Sequence, residues 1–135
     1  MKNLKFFAYL LVVISTSLFT SCTTENLDFG STTKETITKS QWSVDYFFAG
    51  QNVTSQFSNY KINFVGNGTV IANDGTTSVN GTWSIVTDMN RNDVLRINVS
   101  ESHLQVLNDQ WTVKQTSDDV LTMTGAASEI HLRKL

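Results

Sequence analysis

Tyr60-Lys61-Ile62-Asn63-Phe64-Val65-Gly66-Asn67-Gly68-Thr69-Val70-Ile71-Ala72 holds an alternating run, a turn and a second short apolar run. In an extended chain Tyr60, Ile62 and Phe64 share one face, and Lys61 and Asn63 take the other. Gly66-Asn67-Gly68 is the strongest hairpin signal in the chain, because Gly and Asn tolerate the positive φ that a tight reversal needs. Thr69–Ala72 therefore returns as the antiparallel partner of 60–64. The stretch specifies a β-hairpin with one buried face.

The same grammar extends both ways. Asn73-Asp74-Gly75 is a second turn. Val79-Asn80-Gly81-Thr82-Trp83-Ser84-Ile85 alternates, with Gly81 marking a bend or bulge. Upstream, Trp42-Ser43-Val44-Asp45-Tyr46-Phe47-Phe48 alternates and Ala49–Asn52 turns. Downstream, Asp88–Asn92 is a polar loop before Leu95-Arg96-Ile97-Asn98-Val99. Leu104, Leu107 and Trp111 have helical spacing over too short a run for an independent helix, which predicts a single helical turn or a capping loop. Trp111–Val113, Leu121–Met123 and Ile130–Leu132 complete eight short strands. Connections of hairpin length with no crossover helices predict an antiparallel barrel or sandwich. A closed barrel also removes exposed strand edges.

Composition narrows the function. The chain has 135 residues, 10 Lys+Arg, 12 Asp+Glu, two His, one Cys and no Pro. That length suits one domain. A net charge of −2 lacks the basic clustering that nucleic acid requires. One Cys excludes an internal disulfide and CxxC chemistry.

The first residues carry an address. Lys2 and Lys5 precede an apolar run from Phe6 to Ile14, too short to span a bilayer. Basic start, short apolar core and small residues after it describe a secretory signal peptide over 1–21. Leu18-Phe19-Thr20-Ser21-Cys22 resembles the lipobox of bacterial lipoproteins, with Phe19 where that family prefers Leu. The resemblance implies cleavage before Cys22, acylation of its thiol and α-amino group, and a lipid-anchored place in the cell envelope at the outer membrane. Two or more acyl chains anchor stably where one does not. Residues 22–36, rich in Thr, Ser and Glu and without periodicity, are expected to be a flexible tether, and 37–135 the folded domain. Glu25 and Asp28 are separated acids and assign no membrane face.

Gln41-Trp42-Ser43-Val44, Phe57–Phe64, Gly68-Thr69-Val70, Val79–Ile85 and Leu107–Val113, taken in order, resemble the lipocalin-like lipoproteins of Bacteroidetes. Ser40 stands where lipocalins usually carry the Gly of Gly-x-Trp. The resemblance implies an eight-stranded up-and-down β-barrel with a central cavity, and for the family it carries architecture without a ligand or an activity.

Chemical constellations are sparse. His131 sits between Ile130 and Leu132, so alternation turns it outward, and His103 lies in a polar loop. Neither belongs to a triad motif. Asp118-Asp119 precedes a strand and suits a turn better than a glycosidase pair. Asp88, Asn90, Asn92 and Asp93 lack the spacing, Gly and closing Glu of an EF-hand. The expectation is a protein without catalytic residues, metal or cofactor. The aromatic strand faces offer the remaining site: Trp42, Val44, Tyr46, Phe64, Trp83, Ile97, Trp111 and Met123 would point inward. They either pack as a core or line a cavity for a small apolar ligand; eight strands permit both. The first alternative makes a structural or protein-interaction lipoprotein, the second a ligand binder.

Overall fold

In the computed structural model, residues 29–135 are described; the expected signal peptide, Cys22 and the first part of the expected tether lie outside them. The hairpin at the centre of the chain forms as the alternation requires. Strands β2 (Lys61–Phe64) and β3 (Thr69–Asn73) pair antiparallel, with Ile62 opposite Ala72 and Phe64 opposite Val70. Gly68 takes the left-handed φ of 90° at the turn. Six more strands continue the pattern: β1 (Gln41–Ala49), β4 (Ser78–Thr87), β5 (Asp93–Val99), β6 (Gln110–Thr116), β7 (Val120–Thr124) and β8 (Ser128–Lys134). Each pairs with its neighbour in sequence, and β8 returns to β1, so the sheet is a closed up-and-down barrel of eight strands.

Two bulges adjust the wall. In β1 the register against β8 shifts between Val44 and Tyr46, and in β6 the register against β7 shifts between Val113 and Gln115. An extra residue flips the parity of everything after it. Phe47 therefore turns inward and is fully buried, while Phe48 is 37% exposed. Gly81 makes no bulge: its pairing with Val70 and Val99 is continuous on both sides. Its role is close approach, since a Cβ there would collide with the Asn98 carbonyl and the Val99 side chain of β5.

Both ends of the barrel are covered. At one end a helix, α1 (Phe29–Thr38), lies against β2, β4 and β5. It spans the end of the expected tether and the first residues of the expected domain. Its sequence is poor in helix formers, and it is held by docking rather than propensity. Ile37 is fully buried, Thr33 Oγ1 donates to the buried Asp93 carboxylate at 2.6 Å, and Glu35 pairs with Lys39 one turn on at 2.7 Å. At the far end sit a short helix, α2 (Thr54–Phe57), and a 3₁₀ segment (Ser102–Leu107), the latter at the helically spaced leucines. They bury Phe57, Leu104 and Leu107.

Candidate functional site

The barrel interior is the first place for a site, and it is full. Of the residues expected to face inward, Trp42, Phe64, Trp111 and Met123 are 0% exposed. Val44, Trp83 and Ile97 are also buried in the same contiguous core. Tyr46 is the correction. The β1 bulge turns it to the outer wall, where its ring packs against His131 with centroids 5.1 Å apart. Phe47 takes the inward place and packs against both Phe57 and Trp111. Three consecutive aromatics after Asp45, Tyr46 to Phe48, are the signal of this ambiguity, because either parity puts an aromatic in the core.

The three tryptophans do more than fill space. A buried indole N–H needs an acceptor. Trp42 Nε1 donates to the Ile37 carbonyl in α1 at 3.0 Å. Trp83 Nε1 donates to the Val65 carbonyl at the β2–β3 turn at 2.9 Å. Trp111 Nε1 donates to the Leu107 carbonyl in the 3₁₀ segment at 2.9 Å. Trp42 and Trp111 thus tie a closing segment to the wall at each end, and Trp83 pins the β2–β3 turn at the α1 end. The interior is plugged as well as packed.

The outer wall carries a recess of about 560 Å³ over β4, β5 and β6, lined by Thr82, Ser84, Arg96, Asn98 and Gln110 among others. It arises where β5 and β6 part. Their pairing stops at Arg96 opposite Gln110, and Ile97 N reaches the Asp109 carbonyl only at 3.4 Å. Hydroxyls, amides, the Arg96 guanidinium and the Asp109 carboxylate lie there beside Trp83 and Ile97, so the recess is a mixed outer surface and not an apolar calyx inside the barrel.

Neither histidine stands alone. His103 Nε2 meets the Tyr60 hydroxyl at 2.9 Å, and its Nδ1 lies 3.6 Å from Glu101. The order Tyr–His–Glu has the outline of a relay, yet burial pushes the Tyr60 phenol up, aided by Asp74 and Glu101. An activated nucleophile needs the reverse shift. The contact fastens the 3₁₀ segment to the residue before β2. His131 lies on the outer wall, as alternation required, and meets Glu129 at 2.7 Å. Asp88 closes its own loop, accepting from the Asn90 and Asn92 amides at 2.8 Å each. Asp93 is not in that loop's ligand set but inside the barrel end, bonded to Thr33 and Thr87. Among the described residues no group of three or more His, Cys, Asp or Glu could hold a metal ion. Among them, too, no helix is long and apolar enough to cross a membrane.

No protein-family model and no curated protein match the chain. Among solved structures it is similar to a DUF4847 family protein from Bacteroides vulgatus ATCC 8482, with a TM-score of 0.53 at 15% identity. The match covers 74% of this chain and 95% of that one. At that identity the likeness is one of fold, and it places this barrel beside a Bacteroides protein.

Proposed function

We propose that this chain is a lipid-anchored, non-enzymatic protein of the bacterial outer membrane, built on a lipocalin-like barrel that serves as a solid scaffold. The observation that carries this reading is the interior: large side chains fill it and hydrogen-bonded segments close both ends. A barrel of this kind offers a partner its outer wall and loops. It supports the structural or protein-interaction alternative over an apolar ligand in the barrel mouth, which would have to displace Phe57 and Leu104 to enter. The anchor rests on the lipobox at Cys22.

Native mass spectrometry of the protein purified from its host tests the scaffold reading. The expected spectrum shows the acylated chain with no retained small molecule. A stoichiometric apolar ligand would overturn it. Replacing Cys22→Ser tests the anchor: the variant should leave the membrane fraction or remain unprocessed, and fractionation like wild type would refute lipidation.

A further inference from the structure

The two ends of the barrel differ in what they present. At the α1 end the β4–β5 loop holds Met89 fully out in solvent, at 102% exposure. The loop is tightly bonded. Asp88 N donates to the Asn92 carbonyl at 2.9 Å and Arg91 N to the Asp88 carbonyl at 3.0 Å. The Asp88 carboxylate takes the Asn90 and Asn92 amides, and Arg91 holds a left-handed φ of 63°. A methionine on so fixed a loop is displayed. Val86, 36% exposed on the outer wall just before the loop, extends the apolar spot.

Cations flank it. Arg91 is in the loop, Lys34 lies beside Trp83–Ile85, and Lys114 is near enough to Asp88 to help hold its carboxyl low. Among the described residues these three join no ion pair, whereas Lys39 and Arg133 are paired with Glu35 and Asp45. Asp118 and Asp119, on the β6–β7 turn of the same end, face Lys39 and Arg133. The far end carries Asp74, Glu101, Asp109 and Glu129 against Lys61. The chain also enters at the Met89 rim: Thr33 is bonded to Asp93, the first residue of β5. From Cys22 to Phe29 even a fully extended chain reaches at most about 25 Å.

We propose that the α1 end seats on an anionic phospholipid bilayer, with Met89 in the headgroup layer and Lys34, Arg91 and Lys114 over the phosphates. The inference rests on the lipid-anchor reading and adds an orientation to it. The acidic far end points away from the like-charged surface. Each cation brought to such a surface strengthens adhesion about five-fold, an effect that salt screens.

The acylated full chain, in Met89→Cys and Ala126→Cys variants bearing an environment-sensitive fluorophore, is reconstituted into phosphatidylcholine–phosphatidylglycerol vesicles containing spin-labelled lipid. Ala126 is exposed on the β7–β8 turn at the far end. The Met89→Cys probe should be quenched several-fold more than the Ala126→Cys probe. Adding Lys34→Gln and Arg91→Gln, or high salt, should reduce that quenching. Equal quenching at both sites on vesicle-bound protein would overturn the docking and leave the anchor intact. Protein that does not float with vesicles at all would overturn the anchor, and the docking with it.

Discussion

The Asn108 carboxamide completes a β-bridge to Val99 with its side chain: Val99 N donates to Oδ1 at 2.7 Å, and Nδ2 donates to the Val99 carbonyl at 2.8 Å. It stands in for the strand that β6 does not supply before Gln110, and it blunts the stretch where the end of β5 departs from β6.

Removing that amide leaves a backbone donor and acceptor without partners. Asn108→Ala should cost about 1–3 kcal/mol in urea unfolding. Asn108→Asp keeps the acceptor for Val99 N but sets a carboxylate oxygen against the Val99 carbonyl, so its midpoint should also fall below wild type.

Trp83 is both core and clasp. It packs edge-on against Phe64 and bonds to the Val65 carbonyl. Trp83→Ala should cost about 3–5 kcal/mol. Trp83→Phe keeps most of the packing, loses the hydrogen bond, and should cost about 1–3 kcal/mol. A Trp83→Ala midpoint within about 1 kcal/mol of wild type would mean that the interior is not packed as described.

The glycine at 81 has no room for a methyl group against β5. Gly81→Ala must push the β4 and β5 backbones apart, at a cost of about 1–3 kcal/mol. Differential scanning calorimetry should show a lower transition temperature, although alanine is the better residue by strand entropy alone.

Acid should loosen the molecule in a defined window. The Asn92 amide holds the Asp88 carboxyl below the usual range, the Thr77 amide does so for Asp74, Arg133 for Asp45 and Lys39 for Glu35. A carboxyl depressed in the folded chain stabilises it above the ordinary carboxylate range, and that stability is lost as pH falls through this range toward the depressed values. Urea midpoints should therefore hold level from neutral pH to about pH 5 and decline below about pH 4. Asp88→Asn should have a lower midpoint at neutral pH and a shallower acid decline.

Much of the barrel was legible because alternation and turns are local properties. The hairpin at Gly66–Gly68, the loop at Asp88–Asn92 and the single helical turn at Leu104–Leu107 all form where residue type demands. The unread parts depend on contacts distant in sequence. The helix at Phe29–Thr38 exists because Thr33 meets Asp93 and Ile37 meets Trp42; its own Thr-rich sequence favours extended chain. A local hint was present in Thr33 and Ile37, one turn apart, beside the Glu35–Lys39 pair. Tyr46 was misplaced because a bulge is set by how β1 fits β8, and no pattern within β1 distinguishes Tyr46 from Phe47. Whether the inward aromatics enclosed space or filled it depended on the closing segments, which alternation cannot reveal.

The seam between β1 and β8 has a consequence for how the chain comes to be folded. Trp42 is paired with Lys134, and Leu135 N donates to the Gln41 carbonyl, so the first strand waits for the last. Until β8 arrives, β1 and β7 are raw edges and the tryptophan-lined interior is open to water. Closing the ring joins the two strands of the barrel that lie farthest apart in sequence, and contacts of such separation form slowly. A chain without β8 would expose two sticky edges at once, so the barrel has no protected intermediate between an open sheet and the closed ring.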